Sequence, residues 1–83
     1  MAFTVRSMSE DEPERFEYVY VTIANDIERQ IKSGRLRRGA RLPGITDLAQ
    51  QYGVAGGTIR RAVRELRERG LVQTLPAKGT YVL

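Results

Sequence analysis

The stretch YGVAGGTIRRAVRELRERGLV, Tyr52 to Val72, contains residue types suited to holding a polyanion. Gly56 and Gly57 stand together just before a run of strong helix formers, and Arg60, Arg61 and Arg64 follow at once. Paired glycines at a helix N-terminus let backbone N–H groups approach an anion with no Cβ in the way, and the helix dipole favours negative charge there. Thr58 adds a hydroxyl. A guanidinium forks onto phosphate or guanine through two parallel hydrogen bonds, which the point charge of lysine does not do. With Ile59 at zero on a helical wheel of about 100° per residue, Ala62, Val63 and Leu66 fall within about 60° of it. Arg60, Arg61, Arg64 and Glu68 lie roughly 100° to 200° away and face outward. A plainer reading stands beside this one. Arg61 with Glu65 and Arg64 with Glu68 are spaced as i,i+4 surface pairs contributing about 0.2–0.5 kcal/mol each, and two glycines can simply sharpen the start of a helix. Arg67 and Arg69 read as solvent charges near the helix C-terminus, where the dipole favours cations.

Other chemistry finds no residues to carry it. Cysteine and histidine are both absent, which excludes disulfides, thiolate metal sites, Ser-His and Cys-His catalysis and most zinc chemistry. GVAGGT matches neither the dinucleotide G-x-G-x-x-G nor a P-loop. The scattered carboxylates suggest no acid–base pair. We therefore expect no enzyme, no metal and no cofactor.

Charge along the chain sharpens the polyanion reading. Residues 1–34 carry four basic and seven acidic side chains, net −3, whereas residues 35–83 carry ten basic and three acidic, net +7. A basic half on a small domain is the electrostatic footprint of a polyanion partner. Twelve of the fourteen basic residues are arginine, a ratio that a GC-rich genome would also favour. Apolar residues make up 41% and charged residues 29% of the 83, ordinary for one soluble domain with one small core. No apolar run approaches a membrane span, and the N-terminus lacks the apolar region of a secretory signal. These features predict a cytoplasmic protein with no membrane partner.

The elements that would position the arginines follow from hydrophobic spacing. Residues 1–15 are polar and acidic, and Ser9 with Glu12 matches a capping box, but no apolar run follows. We expect a mobile acidic tail there and a folded domain over 16–83. Val19, Ile23, Ala24, Ile27 and Ile31 recur at helical steps, predicting a helix from Tyr18 to Ser33 that Gly34 ends. Pro43 forces Leu42 into extended geometry, predicting a short strand near Arg41-Leu42. A short helix is expected from about Gly44–Thr46 to Tyr52, closed by Gly53, and a third from about Ala55 to Arg69, stopped by Gly70. Leu71–Leu75 and Thr80–Leu83 alternate as strands about a turn at Pro76–Gly79. Ala49 is small where the next helix crosses, Gly53 takes the positive φ of the turn, and Val54 and Ile59 wedge between the helices. The order predicts an α+β winged helix-turn-helix: three helices and a C-terminal β-hairpin wing. The outward N-terminal part of its third helix would enter a major groove.

The segment from Arg41 onward resembles the DNA-binding domain of GntR-type bacterial transcription regulators. The matching pieces are Arg41-Leu42-Pro43, Asp47-Leu48-Ala49, Tyr52-Gly53-Val54, Gly57-Thr58-Ile59-Arg60, Leu66 with Gly70-Leu71-Val72, and Lys78-Gly79-Thr80. With the first helix the similarity covers roughly residues 18–83. It implies a sequence-specific regulator of transcription, a repressor that excludes polymerase, reading a pseudo-palindrome of double-stranded DNA as a homodimer. The DNA-facing positions it implies are Arg41, Gly44, Thr46, Ala55, Gly56, Gly57, Thr58, Arg60, Arg61, Arg64, Lys78 and Gly79, the last two at a wing tip on the minor groove and phosphates. Two positions depart from the pattern. Gly44, Ile45 and Thr46 stand where the family often has Ser-Glu-Arg, and Ala55-Gly56 stands where it often has Ser/Thr-Arg, so a capping hydroxyl and two DNA-contacting arginines are missing. That departure favours an alternative, a winged-helix protein-interaction module. The family's C-terminal metabolite-binding domain is not expected within this chain, which ends at the wing.

Overall fold

The computed structural model describes residues 19–83. The expected acidic tail, the Ser9–Glu12 capping box and the domain boundary at 16 lie outside the described residues. Helix α1 covers residues 19–32, α2 spans Ile45–Tyr52 and α3 spans Gly56–Glu68, and an antiparallel hairpin of β1 (Val72–Leu75) and β2 (Gly79–Val82) follows.

Each helix forms because an apolar stripe at helical spacing has somewhere to go. From α1 the stripe is Ile23, Ala24 and Ile27, from α2 it is Leu48, and from α3 it is Ile59, Ala62, Val63 and Leu66, all buried. Leu42, Val72 and Val82 close the same core from the sheet side. Val19, expected on the inner stripe, is 37% exposed, and Ile31 only packs against the core from its margin. Burying a Leu, Ile or Val side chain stabilises by about 1.5–3 kcal/mol, and this cluster is the source of the fold's cohesion.

The helix-turn-helix hinges on Gly53. Its φ of 69° and ψ of 37° lie in the left-handed region that favours glycine. In that conformation the N–H groups of Gly53 and Val54 reach back to the carbonyls of Gln50 and Ala49, at 3.3 and 3.0 Å. At the far end of α3 the Leu71 N–H bonds Leu66 O at 3.0 Å and the Gly70 N–H bonds Arg67 O at 2.9 Å, a Schellman stop. Leu71 is thereby drawn into the helix cap, and β1 begins at Val72, one residue later than the alternation suggests.

An isolated two-stranded hairpin is marginal in water, so the wing needs support. Val72 pairs with Val82 and both point into the core. The segment before α2 lies along the free edge of β2. Leu42 N–H donates to Thr80 O and Val82 N–H to Ala40 O, both at 2.8 Å, and Arg41 forms an isolated antiparallel bridge with Tyr81. The short strand expected near Arg41-Leu42 is this single bridge. Below the wing, Arg67 Nη1 donates to Thr74 Oγ1 at 3.0 Å, and the Thr74 and Thr80 hydroxyls meet at 2.9 Å. Arg67 therefore ties α3 to the hairpin instead of simply facing solvent.

Candidate nucleic-acid interface

The buried stripe of α3 fixes what the rest of the helix presents. With Ile59, Ala62 and Leu66 fully covered, Arg60 and Arg64 emerge on the opposite side, exposed and one helical turn apart. Among the described residues no hydrogen bond or ion pair engages either of them. The i,i+4 pair considered for Arg64 and Glu68 does not form. The Arg60–Arg64 row is a cationic surface with no carboxylate partner among the described residues.

The two glycines have different places. A Cβ on Gly57 would meet nothing within 4 Å, so its backbone is open to whatever approaches. Gly56 is half-buried. A Cβ there would stand 3.5 Å from Ile45 Cγ2 and 3.8 Å from Arg60 Nη1. Both are ordinary contact distances, so Gly56 sits in the packing between the start of α3, Ile45 of α2 and the Arg60 guanidinium, and a Cβ there would fit. Neither Gly44 before α2 nor Ala55 before α3 makes a side-chain cap, so the first N–H groups of both helices have no side-chain acceptor. Thr46 is exposed at the start of α2, and Thr58 is half-buried in the first turn of α3.

Arg61 belongs to a different seam. Its Cζ lies 4.4 Å from the centroid of the Tyr20 ring, a cation–π stack on α1. Four and eight residues on, Glu65 and Arg69 continue that row. Arg69 Nη1 bonds Glu28 Oε1 at 2.7 Å and its Nε bonds Glu65 Oε2 at 3.0 Å, while Lys32 holds the other Glu28 oxygen at 2.9 Å. These contacts correct the reading of Arg69 as a solvent charge, since only 24% of its side chain is exposed. Lys32 and then Arg69 hold the Glu28 carboxyl below the usual range, and Glu65 holds the Arg69 guanidinium still more firmly protonated.

A second buttress fixes α2. The Tyr52 hydroxyl donates to Asp26 Oδ2 at 2.7 Å, and Gln30 and Arg29 hold the same carboxylate at 3.1 and 2.9 Å. Neither Tyr20 nor the Asp26–Gln30 pair stood out in the sequence, and Tyr52 stood out only within the Tyr52-Gly53-Val54 match and not for its bond to Asp26. The available signal was that Asp26 and Gln30 sit one turn apart on the polar flank of α1.

The wing supplies the remaining cations. Lys78 is exposed in the turn, where its N–H bonds Leu75 O at 3.0 Å. Arg41 is exposed on the edge bridged to Tyr81 and lies against Gly79. Arg41 and Gly79 line one cleft with Gly44, at the start of α2. Of the twelve expected positions, the structure brings Arg41, Gly44 and Gly79 together at the wing edge and places Gly57, Arg60 and Arg64 on the outer face of α3. It turns Arg61 toward α1.

A helix-turn-helix whose second helix presents exposed arginines at Arg60 and Arg64, with a hairpin anchored to its C-terminal end, defines a winged helix-turn-helix domain. Residues 19–82 match the family described as bacterial regulatory proteins, gntR family, and the chain belongs to that family. Among its relatives, the HTH-type transcriptional regulator SmoD of Agrobacterium fabrum is 38% identical over 64 residues, 77% of this chain and 27% of SmoD. The mannosyl-D-glycerate transport/metabolism system repressor MngR of Escherichia coli is likewise 38% identical over 64 residues, again 77% of this chain and 27% of the relative. The crystal structure of the DNA-binding domain of AraR in complex with operator ORE1 superposes with a TM-score of 0.74 at 31% identity, covering 77% of this chain and 78% of that one. The chain spans about a quarter of the length of these two regulators. No described helix is long and apolar enough to cross a membrane, and among the described residues no cluster of His, Cys, Asp or Glu is placed to hold a metal ion.

Proposed function

We propose that this chain is the operator-binding domain of a transcriptional repressor, with α3 in the major groove and the wing on the adjoining minor groove and phosphates. The observation that carries the reading is the exposed Arg60–Arg64 row, without a carboxylate partner among the described residues, beside the open backbone of Gly57. Backbone N–H groups at the starts of α2 and α3, near Gly44, Thr46, Ala55, Gly57 and Thr58, position the protein on phosphates. Arg60 and Arg64 contact guanine edges or phosphates, and Arg41, Lys78 and Gly79 engage the flank. Two copies occupy the halves of a pseudo-palindrome, and occupancy excludes polymerase. Support for repression comes from MngR, and support for operator binding from the AraR complex. The departures at Thr46 and Gly56 leave base reading to fewer arginines, which is what favours a protein-interaction module as the second reading.

Fluorescence anisotropy on a sequence selected by this chain from random duplexes, and on an unselected duplex, tests both. Arg60→Ala should weaken binding to the selected duplex by about 1–3 kcal/mol. If the variant binds both duplexes as the parent does, the α3 docking is wrong. If the parent shows no salt-sensitive binding at micromolar concentration, the protein-interaction reading replaces it.

A further inference from the structure

The outer face of the wing holds an arrangement that the α3 surface does not use. Arg41 bridges Tyr81, so its side chain leaves the sheet on the same face as Tyr81, Gln73 and Leu75. Gly79, the partner of Leu75, is the gap in that face. A Cβ built on Gly79 would stand 2.6 Å from Arg41 Nε and 3.3 Å from both Cζ and Nη2. Three guanidinium atoms at that range mean that the guanidinium itself fills the place of the missing side chain. Among the described residues the Arg41 side chain has no hydrogen-bond or ion-pair partner, and its guanidinium rests in this seat. Gly79 has a φ of 123°, a second reason for glycine there.

The surroundings say what an arginine so held can touch. Leu75, Pro76 and Ala77 are exposed around the turn and offer no side-chain donor or acceptor. Tyr81 spends its hydroxyl on the Lys78 carbonyl at 3.2 Å. Arg41 and Lys78 are the charged side chains of the tip, and both only donate. A tip whose charged side chains only donate, beside the apolar Leu75, Pro76 and Ala77, suits a minor groove floored by acceptors, the N3 and O2 atoms of A·T pairs, and conflicts with the donor amino group of guanine. Arginine is also the side chain drawn to narrow, A·T-rich minor grooves.

We propose that Gly79 is a positioning residue whose empty side-chain place seats the Arg41 guanidinium along the wing, and that Arg41 so held makes the wing select duplex lacking the guanine amino group in its minor groove. The proposal rests on the reading of the domain as a DNA binder. Two duplexes of one sequence test it, one with guanine and one with inosine at every G·C pair. They share the major-groove pattern and differ in the minor groove by that amino group alone.

The chain should bind the inosine duplex about fivefold or more tightly than the guanine duplex. Arg41→Ala and Gly79→Ala should each bring that ratio close to one, and Gly79→Ala should change it no further in the Arg41→Ala background. A ratio near one for the parent chain, or a ratio that survives Arg41→Ala, overturns the proposal. So does a Gly79→Ala effect of the same size with and without Arg41, since that is backbone strain alone. Arg41→Ala leaves the strained position untouched and tests the proposal even if Gly79→Ala does not fold. Loss of binding to both duplexes by the parent chain, by contrast, would bring down the DNA-binding reading itself.

Discussion

Tyr52 illustrates how much a single hydroxyl contributes when it crosses between elements. Its bond to Asp26 is the main reason that carboxyl titrates below its usual value, and burial followed by the neighbouring carboxylate pushes the Tyr52 phenol up to about 12. The two shifts act at opposite ends of the pH scale. Asp26 stabilises the fold above its unfolded pKa, and that contribution is lost as pH falls through the carboxylate range. The raised phenol contributes stability that is full below pH about 10 and is lost as pH climbs toward 12. Tyr52→Phe should cost about 1 kcal/mol near neutrality. It should also flatten both limbs of a plot of melting temperature against pH, measured by circular dichroism alongside the parent. At the same scale, the wheel that separates Ile59 from Arg60 also sets Gly56 about 60° from Ile59 and Gly57 about 160° from it. The division of labour between the two glycines was therefore legible, provided each was treated singly.

Between elements, the decisive feature is the match of two rows eight residues long. Arg61, Glu65 and Arg69 run down one edge of α3, and Tyr20 and Glu28 run down the facing edge of α1, with the fully buried Ala24 between them. A small residue at the centre lets the helices approach, and long polar side chains close the seam on its solvent side. The seam orients α3, but apolar contact holds it. Ile59 is 0% exposed, and Ile59→Ala should destabilise the domain by about 2–5 kcal/mol. Urea titration is the direct measurement. A cost below about 1 kcal/mol would show that the site collapses around the missing atoms, contrary to a tightly packed core.

Over the whole molecule, charge and shape have separate jobs. One core joins all three helices to the hairpin, while the net +7 of residues 35–83 resides mostly in side chains that the core leaves outside. That division predicts binding dominated by phosphate neutralisation. If about five phosphates are neutralised per monomer, the logarithm of the association constant should fall against the logarithm of salt with a slope of about −4 to −5. A slope near zero in an anisotropy series from low to high salt would contradict the cationic-face picture. The proposed repression and pairing on a pseudo-palindrome belong to this scale too, and SmoD carries roughly three quarters of its length outside the region matched by this chain.

Local rules, acting on neighbours in the chain, were enough to place the helices, the Gly53 turn, the wing and the outward direction of Arg60 and Arg64. Hydrophobic period, a left-handed glycine and a Schellman stop are all properties of short segments. The fates of Arg61 and Arg69, the Tyr52–Asp26 bond and the seating of Arg41 on Gly79 are contacts between residues 26 to 41 positions apart. Those depend on how the helices and the hairpin edge cross, an arrangement of packed surfaces that no short window of sequence contains.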